Sequence, residues 1–326
     1  MKYALIFMAA CGSFQDPNVV IDTRVLAITA DPPEQVIDVT GQDLQNPDFT
    51  ALFAQVMPTH VCALVSDRQF DRSLRYTWTL CVTDTDDRCD TDYMSYDIAT
   101  GIQPDPDPFD AAPFCLDIQP DDKVEATVLT SLKNDQYHGL GGIYYSALLT
   151  VGGADADPAD DIVAEKALRL MPNIPVEVTQ NHNPTMAGLV ASDPNADMTN
   201  PQPVALNACD APNAQKLEVT PRQKIRLTPV EPDGVRETYV APTLSGGGET
   251  LTESITYQWT ITDGDLSDGN TGGGHDPFGN LAPLFTDYTA PYAEDLDGPE
   301  DVQVWVVVRD ERLGVAWYEA CIHVTP

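Results

Sequence analysis

The C-terminal part of the chain carries the clearest pattern. Val302, Val304, Val306 and Val308 alternate with Gln303, Trp305, Val307 and Arg309, and the second face is itself largely apolar. Period two is strand geometry, and apolar residues on both faces mark a strand buried on both sides. Asp310, Glu311 and Arg312 read as a turn, after which residues 315–324 return as a second strand and close a β-hairpin. Upstream, Tyr257-Gln258-Trp259-Thr260 follows Ile255 and predicts a strand bearing a single Trp. Short apolar stretches divided by Pro, Gly and Asp recur along the chain, the composition of turns between strands. The expectation is an all-β protein of antiparallel layers.

The same pattern occurs twice. Ala30-Asp31-Pro32 corresponds to Ser192-Asp193-Pro194, and Tyr76-Thr77-Trp78-Thr79 to Tyr257-Gln258-Trp259-Thr260. Asp107-Pro108-Phe109 corresponds to Asp276-Pro277-Phe278, and Gly141, Tyr145, Ala147 and Val151 to Gly314, Tyr318, Ala320 and Val324. Four anchors in one order, at offsets that differ as loop lengths would, indicate an internal duplication. In the first copy the closing hairpin is expected over 124–130 and 143–151, joined by a longer loop. A single Trp on a central strand, short strands and a closing hairpin describe an antiparallel sandwich of immunoglobulin type. The copies are placed at 22–153 and 183–326. Between them, 154–182 opens with Asp155, Asp157, Asp160 and Asp161 and ends rich in Pro, as an interdomain connection does. Residues 162–170 inside it fit either a short helix or an added strand.

The tracts YQWTITDGDLSDGN and VQVWVVVRDERLGVAWYEACIHV resemble the Trp-bearing strand and closing hairpin of bacterial Ig-like and PKD-like domains. That resemblance implies two tandem immunoglobulin-like (PKD-like) β-sandwiches on a surface lipoprotein, acting as spacer, scaffold or adhesion module. The chain's start points the same way. Lys2 precedes a seven-residue apolar run, residues 4–10, that is far too short to span a bilayer and has the form of an export signal. Cys11, directly after Ala9 and Ala10, resembles the lipobox of bacterial lipoproteins, with Met8 where Leu is usual. This implies a signal peptide at 1–10, acylation of Cys11 and a tether over 11–21. Because Gly12 follows the Cys, it also implies a lipid-anchored place at the outer membrane or cell surface.

Without Cys11 six cysteines remain, an even number suited to an oxidising compartment. Cys209 and Cys321 are the two in the C-terminal half and are expected to pair. Of the three connectivities open to the other four, Cys81–Cys89 with Cys62–Cys115 is preferred, because Cys81 and Cys89 can bridge a strand to the loop after it.

Composition then narrows function. Asp and Glu total 51 against 17 Lys and Arg, a net charge of −34, which excludes binding to nucleic acid phosphates. There is no GxSxG elbow, HExxH, GxGxxG after a strand or Walker loop, and the five histidines are scattered, so a non-enzymatic role is expected. No resident cofactor is implied, and calcium is the one candidate ion. Asp84, Asp86, Asp87, Asp90 and Asp92 follow the first Trp strand, Asp263, Asp265 and Asp268 follow the second, and closely spaced carboxylates suit calcium's oxygen preference. A further acidic run holds Glu294, Asp295, Asp297, Glu300 and Asp301. With Lys scarce throughout, these clusters read first as solvated acidic surface. A calcium-dependent carbohydrate- or protein-binding receptor is the alternative. Tyr93, Tyr96, Phe109, Phe114, Tyr288 and Tyr292 lie where sugar-stacking aromatics would, or where a sandwich closes its core.

Overall fold

The computed structural model describes residues 16–43, 46–67, 72–83, 88–103, 114–137, 139–195, 203–211, 216–243, 247–274 and 279–326. In the first unit, β1 (Arg24–Asp31), β3 (Thr59–Ser66) and β6 (Cys115–Ile118) form a three-stranded antiparallel sheet. Opposite it lies a five-stranded sheet made by β2 (Glu34–Ile37), β4 (Leu74–Val82), β5 (Ser95–Gln103), β7 (Ile143–Gly153) and β8 (Ile162–Pro172), in the order β2-β8-β7-β4-β5. Among the described residues the unit also holds two α-helices, α1 (Phe49–Phe53) and α2 (Asp122–Asn134). One core joins the layers: Val61 and Ala63 from β3 meet Trp78 and Leu80 of β4, Tyr145 and Leu149 of β7, and Val124 and Val128 of α2.

The second unit repeats this plan. Its strands are β9 (Gly188–Ser192), β10 (Val204–Leu206), β11 (Leu217–Val219), β12 (Lys224–Val230), β15 (Thr256–Ile261), β16 (Asp265–Leu266), β17 (Asn270–Gly272), β18 (Thr286–Thr289), β19 (Glu300–Arg309) and β20 (Val315–Val324). One sheet runs β10-β9-β12-β18-β16, and the other β11-β20-β19-β15-β17. β13 (Thr238–Pro242) and β14 (Gly248–Thr252) form a separate ribbon. Trp259, Tyr257, Tyr288, Val304, Val306 and Ile322 are fully buried in this core.

The two five-stranded orders correspond strand for strand: β2-β8-β7-β4-β5 with β11-β20-β19-β15-β17. In each, a short strand pairs in parallel with the last strand of the unit, β2 with β8 and β11 with β20. Likewise β1-β3-β6 corresponds to β9-β12-β18. The chain is therefore two tandem immunoglobulin-like β-sandwiches, and Trp78 and Trp259 occupy the same central strand in each.

The correspondence corrects the reading of the first closing hairpin. Its strands are β7 and β8, so residues 143–151 match β19 and not β20. Residues 162–172, within the expected connection, are its last strand, paired with β7 along its length. Residues 124–130, expected as a strand, lie in α2. Asp121 caps that helix by accepting from the amides of Lys123 and Val124, and the residues it buries, Val124, Thr127, Val128 and Ser131, recur at helical spacing. β-branched composition suggested a strand, whereas the cap and the 3.6-residue period decide the outcome.

The expected tether differs as well. In its described part, Asn18 and Val20 exchange backbone hydrogen bonds with Ile261 of β15, and Val20 is fully buried. The chain thus lies along the second sandwich before it enters β1 of the first.

Candidate functional site

The two sandwiches share a sealed seam. Leu26, Ala27 and Leu64, on the outer face of β1 and β3, pack with Val20 against Trp305, Val307 and Val315 of β19 and β20. This accounts for the doubly apolar pattern of β19: Val302, Val304, Val306 and Val308 face their own core, while Trp305 and Val307 face the other unit. A bulge between Val25 and Ala27 turns β1 so that Ile28 and Ala30 enter its own core. Hydrogen bonds line the seam: Thr29 Oγ1 donates to the Val315 carbonyl at 2.6 Å and Asn183 Nδ2 to that of Ala30 at 2.7 Å.

Beside this apolar patch lies a buried ionic cluster. Glu34 on β2 accepts from Arg169 of β8 through Nε at 2.8 Å, from Arg312 and from the Asn181 amide at 3.1 Å. Arg312 reaches Glu253 at 3.4 Å and Glu237 at 3.7 Å, donates to the Thr179 carbonyl at 2.7 Å, and lies over the Tyr239 ring with its guanidinium carbon 4.6 Å from the centroid. Glu34, Glu253 and Arg312 are all buried. Buried charges survive where they are paired and hydrogen-bonded, and here two arginines face two fully buried glutamates. Burial pushes the Glu253 carboxyl up to about 7. Lys166 of β8 donates to the Leu313 carbonyl, and burial brings its ammonium down to about 8.

Arg312 is aimed by the turn between β19 and β20. Asp310 Oδ1 accepts from the amides of Arg312 and Gly314, each at 2.7 Å, and the backbone passes through a positive φ of 76° at Leu313. A Cβ on residue 314 would lie 1.9 Å from Asp310 Oδ2, so the tight loop requires glycine there. The DERLG tract read as a turn is thus also the element that carries a cation into the seam.

The described members of the two Asp clusters make separate local contacts. Asp84, Asp86 and Asp87 lie outside the described residues, as does Cys11. Asp90 Oδ1 accepts from the amides of Asp92 and Tyr93, which shapes its own turn. Asp263 accepts from the Gly264 amide, Asp265 pairs with Arg222 at 3.4 Å, and Asp268 accepts from the Ser267 hydroxyl. Among the described residues, His60, Cys62 and Cys115 alone form a group of three or more metal-ligating side chains with their ligand atoms within 4.8 Å of one another. Disulfides join Cys62 to Cys115, Cys81 to Cys89 and Cys209 to Cys321.

The aromatics separate into two roles. Phe114 and Tyr288 belong to the cores, and Phe114 meets Tyr76 edge to face at 5.8 Å. Tyr93 is exposed, and Tyr292 is covered on one face by the Arg222 guanidinium, 4.2 Å from its centroid. Phe109 lies outside the described residues. A cleft of about 570 Å³ opens at the second sandwich's edge, lined by Val204 of β10, by Lys216, Leu217 and Glu218 around β11, and by His323 of β20. His323 Nδ1 contacts Asp301 at 2.6 Å on its rim.

Neither a family model nor a curated protein matches the chain. Solved structures with some similarity include mouse clustered PcdhgC3 EC1-3, 10% identical over 59% of this chain and 45% of that one, with a TM-score of 0.20. A Bacteroides ovatus SGBP-B from a mixed-linkage glucan utilization locus, solved with a mixed-linkage heptasaccharide, is 12% identical over 93% of this chain and 47% of its own, also at 0.20. The periplasmic chaperone SfaE is 10% identical, covers 92% of this chain and 98% of its own, and gives a TM-score of 0.22. The chain thus spans less than half the length of the first two.

Proposed function

We propose that this protein is a non-enzymatic, exported scaffold or adhesion module, anchored by lipid at Cys11, that presents two sandwiches in one fixed orientation to a surface protein or glycan. The seam carries this reading. Leu26, Leu64, Trp305 and Val307 are withdrawn from water between the units, and Arg312 reaches from the second unit to Glu34 of the first. Burying that apolar surface and satisfying those charges only when the units are docked makes the pair one rigid body, whereas a flexible spacer would leave them solvated. A rigid head holds its binding faces at a set distance from the membrane and loses less conformational entropy on engaging a partner. The calcium-dependent receptor is the alternative reading; its described candidates Asp90, Asp263, Asp265 and Asp268 each make a local contact of their own.

The test combines address and binding. Wild type and Cys11→Ala are expressed in a Gram-negative host, fractionated, and probed for surface accessibility and for retention of intact cells and of arrayed cell-surface glycans. Wild type is expected in the outer-membrane fraction and Cys11→Ala released in soluble form, with both heads binding equally. Wild type found unacylated, or a head that retains neither cells nor glycans, overturns the proposal.

A further inference from the structure

The outer face of the β3–β6 ladder carries a constellation that the scaffold reading does not use. Cys62 pairs in register with Cys115 and His60 with Asp117. Alternation along the strands puts these two pairs side by side on one face while Val61 and Ile118 point into the core. His60 Nδ1 lies 2.6 Å from Asp117 Oδ1, and His60 Nε2 lies 3.1 Å from Cys62 Sγ. With Nδ1–H donating its hydrogen bond to the Asp117 carboxylate, the neutral imidazole keeps its lone pair on Nε2, directed at the sulfur. An oxidised sulfur has no proton to give that lone pair, so the orientation is suited to a different occupant.

We propose that His60, Cys62 and Cys115 are the ligands of a reduction-gated site for zinc or another thiophilic divalent cation, with Asp117 as the residue that orients the imidazole. Opening the site requires an external dithiol or phosphine reductant. Cleavage of the Cys62–Cys115 bond gives two thiols as a dithiol is oxidised to its own disulfide, or as a phosphine is oxidised to its oxide with water supplying the oxygen and both protons. The cation then displaces both thiol protons to solvent and bonds two thiolates and Nε2. Zinc takes thiolates at about 2.3 Å and imidazole at about 2.0–2.1 Å, which puts tetrahedral ligand atoms about 3.6–3.8 Å apart. The three ligand atoms already lie within 4.8 Å of one another, so after cleavage the sulfurs need only side-chain rotation on a fixed strand pair. Metal-bound imidazoles characteristically donate their other ring N–H to a carboxylate, the role Asp117 fills. Two thiolates and one imidazole leave a fourth position, and it faces solvent because His60 and Asp117 are exposed. Cys62 and Cys115 are both half-buried, whereas each of the other bridges has one fully buried cysteine, Cys81 or Cys321, which makes this the least buried of the three bonds.

Cobalt(II) serves as the probe, because thiolate ligation gives it a charge-transfer absorption that carboxylates do not. The full chain is reduced with a phosphine, freed of reductant under argon, its thiols counted and its fold checked by circular dichroism, then titrated with cobalt and back-titrated with zinc. The reduced protein is expected to bind one equivalent with the thiolate band and to yield it to zinc, and the oxidised protein to show no such band. Asp117→Asn should weaken binding about 10- to 100-fold, and His60→Ala by more. Both positions are on the surface, so neither variant threatens folding. A thiolate band of equal strength in Cys62→Ser/Cys115→Ser would assign it to the other cysteines and overturn the proposal. So would His60→Ala binding within twofold of wild type.

Discussion

Truncating Arg312 to Ala tests the seam most directly. The guanidinium is the cation shared by Glu34 and Glu253, it satisfies the Thr179 carbonyl, and it covers the Tyr239 ring. After truncation Glu34 still has Arg169 and the Asn181 amide, but Glu253 keeps only the Glu237 amide at 3.1 Å. Removing one partner from a buried ion pair costs about 3–5 kcal/mol. The cost must depend on pH, because Glu253 escapes its unpaired charge by protonating, and burial already holds its carboxyl at about 7. The loss should therefore be close to the full 3–5 kcal/mol at pH 8 and clearly smaller at pH 5. For a body of about 300 residues that melts as one, at roughly 2.1 cal/mol/K per residue, that is a fall in Tm of about 5–8 °C. Urea unfolding followed by tryptophan fluorescence and by circular dichroism provides the assay. Wild type is expected to unfold in one transition and Arg312→Ala in two, as the sandwiches part. Adding Glu253→Gln to Arg312→Ala should recover about 0.5–3 kcal/mol through coupling. A loss below about 1 kcal/mol that is equal at pH 5 and pH 8, with one transition retained, would refute the claim that this cluster holds the units together.

Two further outcomes follow from the same geometry. Stability should pass through a minimum between pH 7 and 8. The folded state holds a proton on Glu253 that the unfolded chain has released between about 4.5 and 7, so stability falls as pH rises through that window. The unfolded chain holds a proton on Lys166 that the folded state lacks between about 8 and 10.5, so stability then rises. Thermal melts across pH check this: Glu253→Gln should flatten the first limb and Lys166→Met the second, and a variant that leaves its limb unchanged contradicts the assignment. Separately, Cys209→Ser/Cys321→Ser should cost up to about 4.7 kcal/mol in the chain-entropy account, since the bridge closes a loop of 112 residues, with urea midpoints as the measure and a loss under about 1 kcal/mol counting against it.

Local pattern alone revealed the strands with strict alternation. Residues 302–324 read as a hairpin because side chains alternate across a strand whatever surrounds it, and the YxWT tracts marked the two central strands for the same reason. Of the four repeat anchors, the Asp-Pro turns after β1 and β9 and the YxWT tracts of β4 and β15 fall on corresponding strands. Residues 107–109 and 276–278 lie outside the described residues, and the anchor at 141–151 matches β20 by sequence although it forms the counterpart of β19. Residues 162–170 could not be assigned, since Ala, Glu, Lys, Leu and Arg are all good helix formers, and only pairing with β7 and β2 makes that stretch a strand. Residues 124–130 misled in the opposite sense: Val and Thr favour strands, yet the site they cover on β4 and β7 accepts a capped helix. The seam's one local mark is the second apolar face of β19, where Trp305 and Val307 announce burial without saying against what. Glu34, Arg169, Glu253 and Arg312 are individually ordinary charged residues, and His60 and Asp117 stand 57 positions apart. Periodicity reports what one element does with its own two faces. Which distant faces meet, and so which charges lose water and which ligands converge, is decided only when the sandwiches close and dock.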